Sequence, residues 1–456
     1  MIALGPPDSL AAGEAVDPSE ARAFLRASLG RPRRRATAIV IPAPVGTPLA
    51  LLDRTRRGDA FHVHDERRSF TALGATRSAQ LEGPARFADA SRRYETGRDE
   101  LELVVHERRG EQLPAWFFGF AFADGRARDP WAPLGDGRLV LPRWLHRVEQ
   151  GTASLTLTID RDEPAGADLA LAELDAIWDA LAEPPSSPTA RPASARHVDE
   201  ARWSSSIDDV RARIAAQAVE KVVVARRSTV LAERDIDPVR VLRRLERPGA
   251  TLFCVRRRGV AFVGATPERL FRKRARCVST EAVAGTVSLD RDPSGRRLFA
   301  STKDLHEHQL VVDGIVSAMA GLRADVAVGA RTLRTIGALA HLSTPIEAHL
   351  TSETSPFEIL DALHPTPAVG GAPRAAALDW IRRNEPDRGW YAGPLGWIDA
   401  HGDAEAHVAL RSALIVGARA YAYAGCGVVA GSDPHAEYVE TSLKLEPMLA
   451  ALGVGP

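Results

Sequence analysis

Cysteine is scarce in this sequence, with three residues among 456. The three, Cys254, Cys277 and Cys426, lie far apart, so their spacing excludes both a disulfide framework and a CxxC metal site. The chain also lacks a basic and apolar leader at its start and any clean run of about 18 apolar residues. Its most apolar stretch, residues 412–431, is interrupted by Arg419. We therefore expect a protein of the reducing cytoplasm that does not span a membrane.

A net charge is absent as well, because 59 Lys and Arg residues balance 59 Asp and Glu residues. Proteins that bind nucleic acid usually carry a basic face, so this balance argues against a nucleic-acid partner. The apolar fraction of 45% is enough to build a sizeable core. The length fits two or three domains or one large catalytic unit.

Lysine is the scarcest of the charged residues. The sequence has four lysines, at positions 221, 273, 303 and 444, and arginine supplies the other basic residues. Arginine stays charged near neutral pH, whereas a desolvated lysine can act as a base. Each lysine that remains in so arginine-rich a chain is therefore a candidate functional residue, although chance retention at the surface is the alternative.

A Pro/Ser/Ala-rich run predicts the main boundary in the chain. Residues 183–198 contain the segment EPPSSPTARPASA and are typical of an exposed connector. Residues 1–182 form an N-terminal portion with mixed helix and strand patterns, which we expect to belong to the same overall fold. Residues 199–456 form the portion in which we expect the chemistry.

Hydrophobic periodicity predicts both helices and short strands on each side of the connector. Helices are expected at 164–181, 203–218, 302–322, 373–383 and 434–452. Strands are expected at 101–106, 154–159, 222–225, 251–256, 260–264, 406–416 and 419–424, with residues 115–122 in the core. The strands do not alternate strictly with helices, so an antiparallel α+β arrangement is favoured over a doubly wound parallel sheet.

Two pairs of acidic residues could bind a metal ion. Asp304 and Glu307 lie three residues apart in one predicted helix, and Glu437 and Glu440 have the same spacing in another. Residues at this spacing share a helix face. Two such helices facing each other would make an all-oxygen site suited to Mg²⁺, and solvated helix faces are the alternative. The HEH segment at 306–308 does not favour zinc, because adjacent helical residues point about 100° apart.

Lys221 and Glu268 are candidate proton-transfer residues. Lys221 begins a predicted buried strand, where desolvation would favour the neutral amine that a general base needs. Glu268, in the turn ATPER, could be a general acid. A strand-edge lysine and a surface turn are the respective alternatives.

A glycine-rich segment follows a predicted strand but does not indicate nucleotide binding. Its spacing at residues 425–431 is GxGxxxG rather than GxGxxG, and no acidic residue follows at the required distance. Glycines here would still let backbone N–H groups approach an anionic ligand. Arg411 and Lys444 flank this segment and could hold a carboxylate.

Nine motifs, taken in order, resemble those of the chorismate-utilising enzymes, a family of isochorismate, salicylate, anthranilate and aminodeoxychorismate synthases. They are EKVVVAR, FVGATPERLF, EAVAGT, STKDLHEHQLVVDGI, HLSTPI, LHPTPAVGGAP, RGWYAGPLGW, VALRSALI and YAGCGVVAGSDPHAEYVETSLKLEPML. The resemblance covers residues 202–452 and, more loosely, the GFAFAD…LPR segment. It implies an α+β fold in which large, mostly antiparallel sheets form a sandwich-like core flanked by helices.

Two positions are similar to the isochorismate synthases in particular. Lys221 stands where members that add water have lysine and anthranilate synthases have glutamine. The segment 363–371, LHPTPAVGG, has the isochorismate synthase form, and Arg374 replaces the lysine usual in the other branches. Tyr438 and Val283 depart conservatively from the common Trp and Leu.

The resemblance implies a Mg²⁺-dependent, reversible conversion of chorismate to isochorismate. It implies that Lys221 is the general base, Glu268 the general acid, and Glu307 and Glu440 the direct metal ligands. Asp304 and Glu437 would reach the metal through water. The residues implied in substrate binding are Arg411, Tyr391, Gly427, Lys444, Gly285 and His341.

The resemblance also implies a monomer without an amidotransferase subunit, with isochorismate feeding menaquinone or catecholate siderophore synthesis. Salicylate synthase, which also eliminates pyruvate, is the first alternative. A non-catalytic chorismate-binding subunit is the second, and retention of the base, the acid and all four carboxylates argues against it.

Overall fold

The structure is a computed structural model that describes residues 17–30, 35–54, 58–106, 113–125, 127–160, 166–183, 193–197, 199–290 and 292–455. Most of the predicted connector, residues 184–192 and 198, lies outside the described residues, as do residues 164–165 of the helix predicted at 164–181.

The described residues of the N-terminal portion form nine strands and four helices. The strands are β1 (Ala36–Pro42), β2 (Ala60–His64), β3 (Arg68–Leu73), β4 (Arg77–Leu81), β5 (Leu101–Val105), β6 (Ala115–Phe120), β7 (Gly137–Leu141), β8 (Trp144–Glu149) and β9 (Thr152–Ile159). The helices are α1 (Pro18–Leu29), α2 (Pro48–Arg54), α3 (Arg86–Asp99) and α4 (Ala167–Ala182).

The C-terminal portion contributes the remaining described strands and helices. The strands are β10 (Ala193–Arg196), β11 (Lys221–Ala232), β12 (Thr251–Arg257), β13 (Val260–Thr266), β14 (Arg269–Arg274), β15 (Cys277–Ser288), β16 (Ala324–Val328), β17 (Thr332–Ile336), β18 (Leu339–Leu350), β19 (Gly371–Ala372), β20 (Pro394–Asp399), β21 (Ala404–Val408), β22 (Ser412–Val416) and β23 (Arg419–Val428). The helices are α5 (Glu200–Ala215), α6 (Pro238–Leu245), α7 (Thr302–Gly321), α8 (Pro356–Leu363), α9 (Arg374–Asn384) and α10 (Pro434–Ala451), with a short 3₁₀ turn at Arg296–Phe299.

The described strands form two large sheets. Thirteen strands make the first, in the order β10-β11-β23-β22-β13-β12-β2-β3-β8-β9-β1-β5, with β19 beside β11. Ten strands make the second, in the order β16-β18-β15-β14-β21-β20-β6-β7-β4, with β17 beside β18. Among the named strands described, β1 and β5 pair in parallel and the other pairs are antiparallel. The predicted antiparallel α+β fold is confirmed.

The two sheets pack against each other through aromatic side chains. Phe70, Phe253 and Phe262 of the first sheet share one apolar cluster with Phe117 and Trp397 of the second. A second cluster fills the other face of the first sheet, beneath α1, α2, α4 and α6. Strands such as β12 and β13 are buried on both faces, which explains why their sequences are nearly continuous apolar runs rather than alternating ones.

One predicted element is wrong. The strand expected at 406–416 is two strands, β21 and β22, that belong to different sheets. The chain changes sheet at residues 409–411, where Arg411 has a positive φ of 49°. An arginine in this backbone region is strained and needs support from its surroundings. Apolar periodicity alone could not reveal the break, because both strands are buried.

The other predicted helices and strands are observed within a few residues, although β11 and β23 extend well beyond their predicted ends. Among the helices of the described residues, none is both long and apolar enough to cross a membrane.

Candidate active site

Ten of the twelve predicted site residues line one cavity with an empty volume of about 870 Å³. They come from strands of both sheets, from α7 and α10, and from the segments between. These residues are Lys221, Glu268, Gly285, Glu307, His341, Tyr391, Arg411, Gly427, Glu440 and Lys444. The remaining two, Asp304 and Glu437, are not in the cavity wall but belong to the same two helices.

Lys221 enters the cavity as the first residue of β11. Its side chain is fully buried, and Nζ lies 2.9 Å from Oε1 of Glu307 on α7. On the neighbouring strand β23, a Cβ at Gly427 would lie 2.0 Å from that same oxygen and 2.6 Å from Cε of Lys221. Glycine is therefore required at 427 for the lysine and the carboxylate to meet over the strand.

Glu268 lies in the turn between β13 and β14. The Thr266 hydroxyl donates to the carbonyl of Val408 at 2.6 Å and accepts from the amide of Glu268 at 3.2 Å. The Val408 amide donates in turn to the carbonyl of Glu268 at 3.0 Å. Desolvation in the cavity raises the pKa of the Glu268 carboxyl to about 7, with Arg334 the main opposing charge. This carboxyl can therefore hold a proton near neutral pH.

Side-chain caps define the starts of the two helices that carry the acidic pairs. The Ser301 hydroxyl accepts from the amide of Asp304 at the start of α7, and the Asp433 carboxylate accepts from the amide of Ala436 at the start of α10. Pro434 occupies the first turn of α10, where its missing N–H costs no hydrogen bond. The first residue of each acidic pair, Asp304 or Glu437, therefore lies in the first turn of a capped helix.

Three of the four acidic residues each contact a lysine. Besides the Lys221–Glu307 pair, Lys303 Nζ lies 2.7 Å from Glu437 Oε1, and Lys444 Nζ lies 2.5 Å from Glu440 Oε1. Burial, with repulsion from Glu440, raises the pKa of Glu437 above its usual value. Burial also raises the pKa of Asp304, to which Glu307 and Glu440 add. The cluster thus concentrates negative charge, which Lys303 and Lys444 partly compensate.

Arg411 and Tyr391 provide hydrogen-bond donors to the same cavity. Burial lowers the pKa of the Arg411 guanidinium to about 10, so it remains charged at neutral pH. Burial raises the pKa of Tyr391, so its hydroxyl keeps its proton. The Tyr391 ring stacks on Tyr423 with centroids 5.1 Å apart. The Lys444 ammonium also donates to the carbonyl of Gly425 at 3.0 Å.

His341 is a neutral residue of the cavity wall. Burial lowers the pKa of its imidazole to about 3. Nδ1 lies 3.2 Å from the carbonyl of Gly285 and 3.1 Å from the hydroxyl of Thr286, and because the carbonyl can only accept, a proton on Nδ1 satisfies it. Nε2 is buried and has no hydrogen-bond partner among the described residues, which makes it an acceptor available to a ligand hydroxyl.

The HEH segment does not bring two histidines together. His308 is buried and hydrogen-bonds Thr344 Oγ1 at 2.8 Å, whereas His306 is exposed. Sequence reasoning missed the roles of Lys303 and of Arg334, a cavity-lining residue beside Glu268. The scarcity of lysine was a signal for Lys303. No signal marked Arg334 among so many arginines.

The chain belongs to the family of chorismate binding enzymes, because the sequence model of that family matches residues 23–453. The resemblance drawn from the nine motifs is confirmed. The chain is 37% identical to the salicylate biosynthesis isochorismate synthase of Pseudomonas aeruginosa over 400 residues, covering 84% of this chain and 83% of that protein. It is 32% identical to isochorismate synthase MenF of Bacillus subtilis over 418 residues, covering 87% of this chain and 88% of that protein.

Solved structures agree with the sequence relatives. MenF, the menaquinone-specific isochorismate synthase from Escherichia coli, superposes with a TM-score of 0.78 at 25% identity, over 95% of this chain and 99% of that one. Component I of anthranilate synthase from Streptococcus pneumoniae superposes with a TM-score of 0.67 at 19% identity, over 84% of this chain and 92% of that one. The second likeness concerns the fold alone.

Proposed function

We propose that this chain is an isochorismate synthase, an isomerase that interconverts chorismate and isochorismate. One observation carries the proposal: a single cavity holds the buried amine of Lys221 and the carboxyl of Glu268, whose pKa is about 7. An acid with this pKa can hold its proton at neutral pH and deliver it to a leaving group. Relatives named isochorismate synthase, which match most of the chain, support the same activity.

The reaction needs one base and one acid. Water adds at C2 of chorismate while Lys221 accepts a proton from it, and the ring double bonds shift. The bond between C4 and its hydroxyl oxygen breaks as Glu268 donates its proton, so a second water leaves. Substrate and product are isomers, and proton exchange with solvent returns Lys221 and Glu268 to their starting states. No electrons are gained or lost.

The cationic wall of the cavity suits a dianionic substrate. The charged Arg411 guanidinium and the protonated Tyr391 hydroxyl can donate to the enolpyruvyl carboxylate, together with the Gly427 amide and Lys444. Such donors placed in advance of the reaction stabilise charge without reorganising. The free Nε2 of His341 can accept a hydrogen bond from a substrate hydroxyl, and the Gly285 carbonyl fixes the orientation of its ring.

The four carboxylates fit Mg²⁺ in their chemistry. They are all oxygen donors, and the pKa of both Asp304 and Glu437 is raised in part by neighbouring carboxylates, a repulsion that a divalent cation would relieve. As they stand, no group of three or more His, Cys, Asp or Glu side chains in the described ranges converges as metal ligands. Glu307 and Glu440 would bind the ion directly, and Asp304 and Glu437 through water. When bound, the cation would polarise the ring carboxylate of the substrate.

The proposal extends to how the enzyme works in the cell. The ten cavity-lining site residues form a complete site within one copy of the chain, and a monomer is the state we propose. Lys221 replaces the glutamine of ammonia-using relatives, which supports action without an amidotransferase. The three cysteines are free thiols, which supports a cytoplasmic protein. Isochorismate would then feed menaquinone or catecholate siderophore synthesis.

Product analysis tests the proposal. Purified protein is incubated with chorismate and Mg²⁺, and the products are separated by liquid chromatography. We expect isochorismate in equilibrium with chorismate and no pyruvate. Salicylate and pyruvate in equal amounts would instead assign a salicylate synthase. Binding of chorismate without turnover would assign a non-catalytic subunit.

The variant Glu268→Gln tests the acid in the same assay. Glutamine keeps the shape of the side chain but cannot donate the proton, so kcat should fall by about 10²–10⁴-fold with KM largely unchanged. Glu173→Gln is the matched control, because Glu173 binds Arg143 and Trp144 away from the cavity. Near-parental turnover in Glu268→Gln would make Glu268 a structural turn residue.

A further inference from the structure

An ion pair beside Glu268 has no part in the reaction as derived above. Arg334 of β17 pairs with Glu281 of β15, and the two side chains are 30% and 28% exposed. The second terminal nitrogen of Arg334 donates to the carbonyl of Pro267 at 2.8 Å. Glu281 also accepts from the hydroxyl of Ser343 on β18. One arginine thus connects two strands of the second sheet to the turn that carries Glu268.

The position of this contact makes it more than a surface ion pair. Pro267 directly precedes Glu268, so the bond from Arg334 holds the backbone from which the acid projects. Arg334 also lines the same cavity as Glu268, and its other terminal nitrogen donates to the carboxylate of Glu281. A planar guanidinium can make both contacts at once, one with each terminal nitrogen, which an ammonium cannot do in this geometry.

Four charged groups on four elements act on Glu268. Arg334 of β17 is the strongest opponent of its desolvation, and Glu281 of β15 acts in the other direction. Lys221 of β11 and Lys444 of α10 contribute less than these two, and each already has a carboxylate partner.

Two further titratable residues lie close to this group. His341 of β18 is neutral. Arg269 of β14 interacts with both Glu281 and Arg334. Arg334 and Glu281 are therefore the two charges whose removal should change the pKa of Glu268 most.

We infer that Arg334 is a positioning residue for the general acid: it holds the Pro267–Glu268 turn, and its charge, balanced by Glu281, controls how readily Glu268 releases its proton. The inference rests on the proposed function, in which Glu268 is the acid. Removing Arg334 would leave Glu281 uncompensated and make proton release harder. Removing Glu281 would leave Arg334 uncompensated and make it easier.

The pH dependence of kcat/KM tests the inference, because the two neutral variants should move it in opposite directions. The protonated acid is the active form, so activity in the parent should fall as pH rises through about 7. Arg334→Gln should move this descending limb to higher pH and Glu281→Gln should move it to lower pH, each by on the order of one pH unit. The double variant should return toward the parent. Arg334→Lys should keep the limb but lower kcat, because it retains charge without the second contact.

A matched control is Arg77→Gln, since Arg77 is 31% exposed and ion-paired with Asp160 and Glu100 away from the cavity. It should leave the limb unchanged. Thermal unfolding of each variant shows which are folded, and if Arg334→Gln is not, Glu281→Gln and Arg334→Lys decide the outcome. Unchanged limbs, or shifts in one direction for both single variants, would overturn the inference. A limb absent from the parent, or still present in Glu268→Gln, would instead overturn the role of Glu268 itself.

Discussion

At the scale of single residues, the site is built from lysine–carboxylate pairs. Three of the four lysines in the chain, Lys221, Lys303 and Lys444, each contact one of the acidic residues predicted to bind metal. Arginine occupies almost every other basic position. Of lysine and arginine, only lysine can serve as a base near neutral pH, since a guanidinium keeps its proton. Proton abstraction therefore explains the lysine at 221, and the contacts with Glu437 and Glu440 explain the lysines at 303 and 444.

The variant Lys221→Arg tests whether this lysine is a base or only a charge. Arginine preserves the charge but keeps its proton near neutral pH. If proton abstraction is the role of Lys221, turnover in Lys221→Arg should therefore fall nearly as far as in Lys221→Ala, by about 10²–10⁴-fold. Lys273→Arg is the matched control, because Lys273 is also buried but donates to the carbonyl of Gly402 at 3.2 Å. Rates of isochorismate formation decide the matter. Near-normal turnover in Lys221→Arg would refute the base.

Metal removal tests the carboxylates. EDTA should abolish turnover and excess Mg²⁺ should restore it, if the four residues bind the ion. Glu307→Gln and Glu440→Gln should each remove most Mg²⁺ binding measured by calorimetry, and Asp304→Asn should remove less because its contact is through water. Thermal unfolding checks that the variants fold. Full activity of a metal-free preparation would contradict the metal site.

At the scale of elements, α10 is the helix that organises the site. It carries Glu437, Glu440 and Lys444 along one stretch, and Arg226 of β11 holds it in place. Arg226 is 4% exposed and donates to the Thr441 hydroxyl at 2.8 Å and to the Ser442 hydroxyl at 2.6 Å. Because Lys221 begins the same strand, Arg226 connects the base-bearing strand directly to the acidic helix.

The variant Arg226→Lys should therefore weaken Mg²⁺ binding and turnover together. A lysine cannot make the two hydroxyl contacts at once, and loss of a residue that orients metal ligands typically costs about 10–100-fold in metal affinity or activity. Calorimetry with Mg²⁺ and steady-state kinetics measure the two effects. Arg213→Lys, in an exposed pair with Asp209 on α5, is the control. Unchanged Mg²⁺ affinity would show that the contact serves stability alone.

At the scale of the whole molecule, both sheets are shared between the N-terminal and C-terminal portions. In the first sheet β2 pairs with β12, and in the second β6 pairs with β20. Aromatic residues from both portions, such as Phe117 and Phe253, fill one core between the sheets. Separation of the portions would break one strand pairing in each sheet, leave the edges of β2, β12, β6 and β20 unpaired, and expose that core to water.

A fragment of residues 199–456 should consequently fail to fold alone, although it contains every predicted site residue. We expect it to bind a hydrophobic dye and to unfold without a cooperative transition. Co-expression with residues 1–182 should restore cooperative unfolding and isochorismate formation, because the two portions supply each other's sheet neighbours. A fragment 199–456 that is cooperative and active by itself would show an independent catalytic domain.

Local patterns in the sequence were enough to predict most elements and several candidate site residues. The i, i+3 acidic spacing, the first residue of β11 and the ATPER turn each depend on a few neighbouring positions. The motifs then assigned them to a family, which is confirmed. Short-range periodicity was also enough to favour antiparallel sheets, because strands and helices do not alternate.

By itself, then, the sequence determined the fold class, the family and the chemistry available to the site. Only the tertiary structure decided which charges meet. The Lys303–Glu437 pair and the hydrogen bond from Arg334 to the turn before Glu268 join residues distant in the chain, and the change of sheet at Arg411 follows from the pairing of β21 and β22 with distant strands. No local pattern encodes such contacts, because each depends on where separate strands and helices pack, and the proton affinity of Glu268 follows from that packing rather than from its neighbours in sequence.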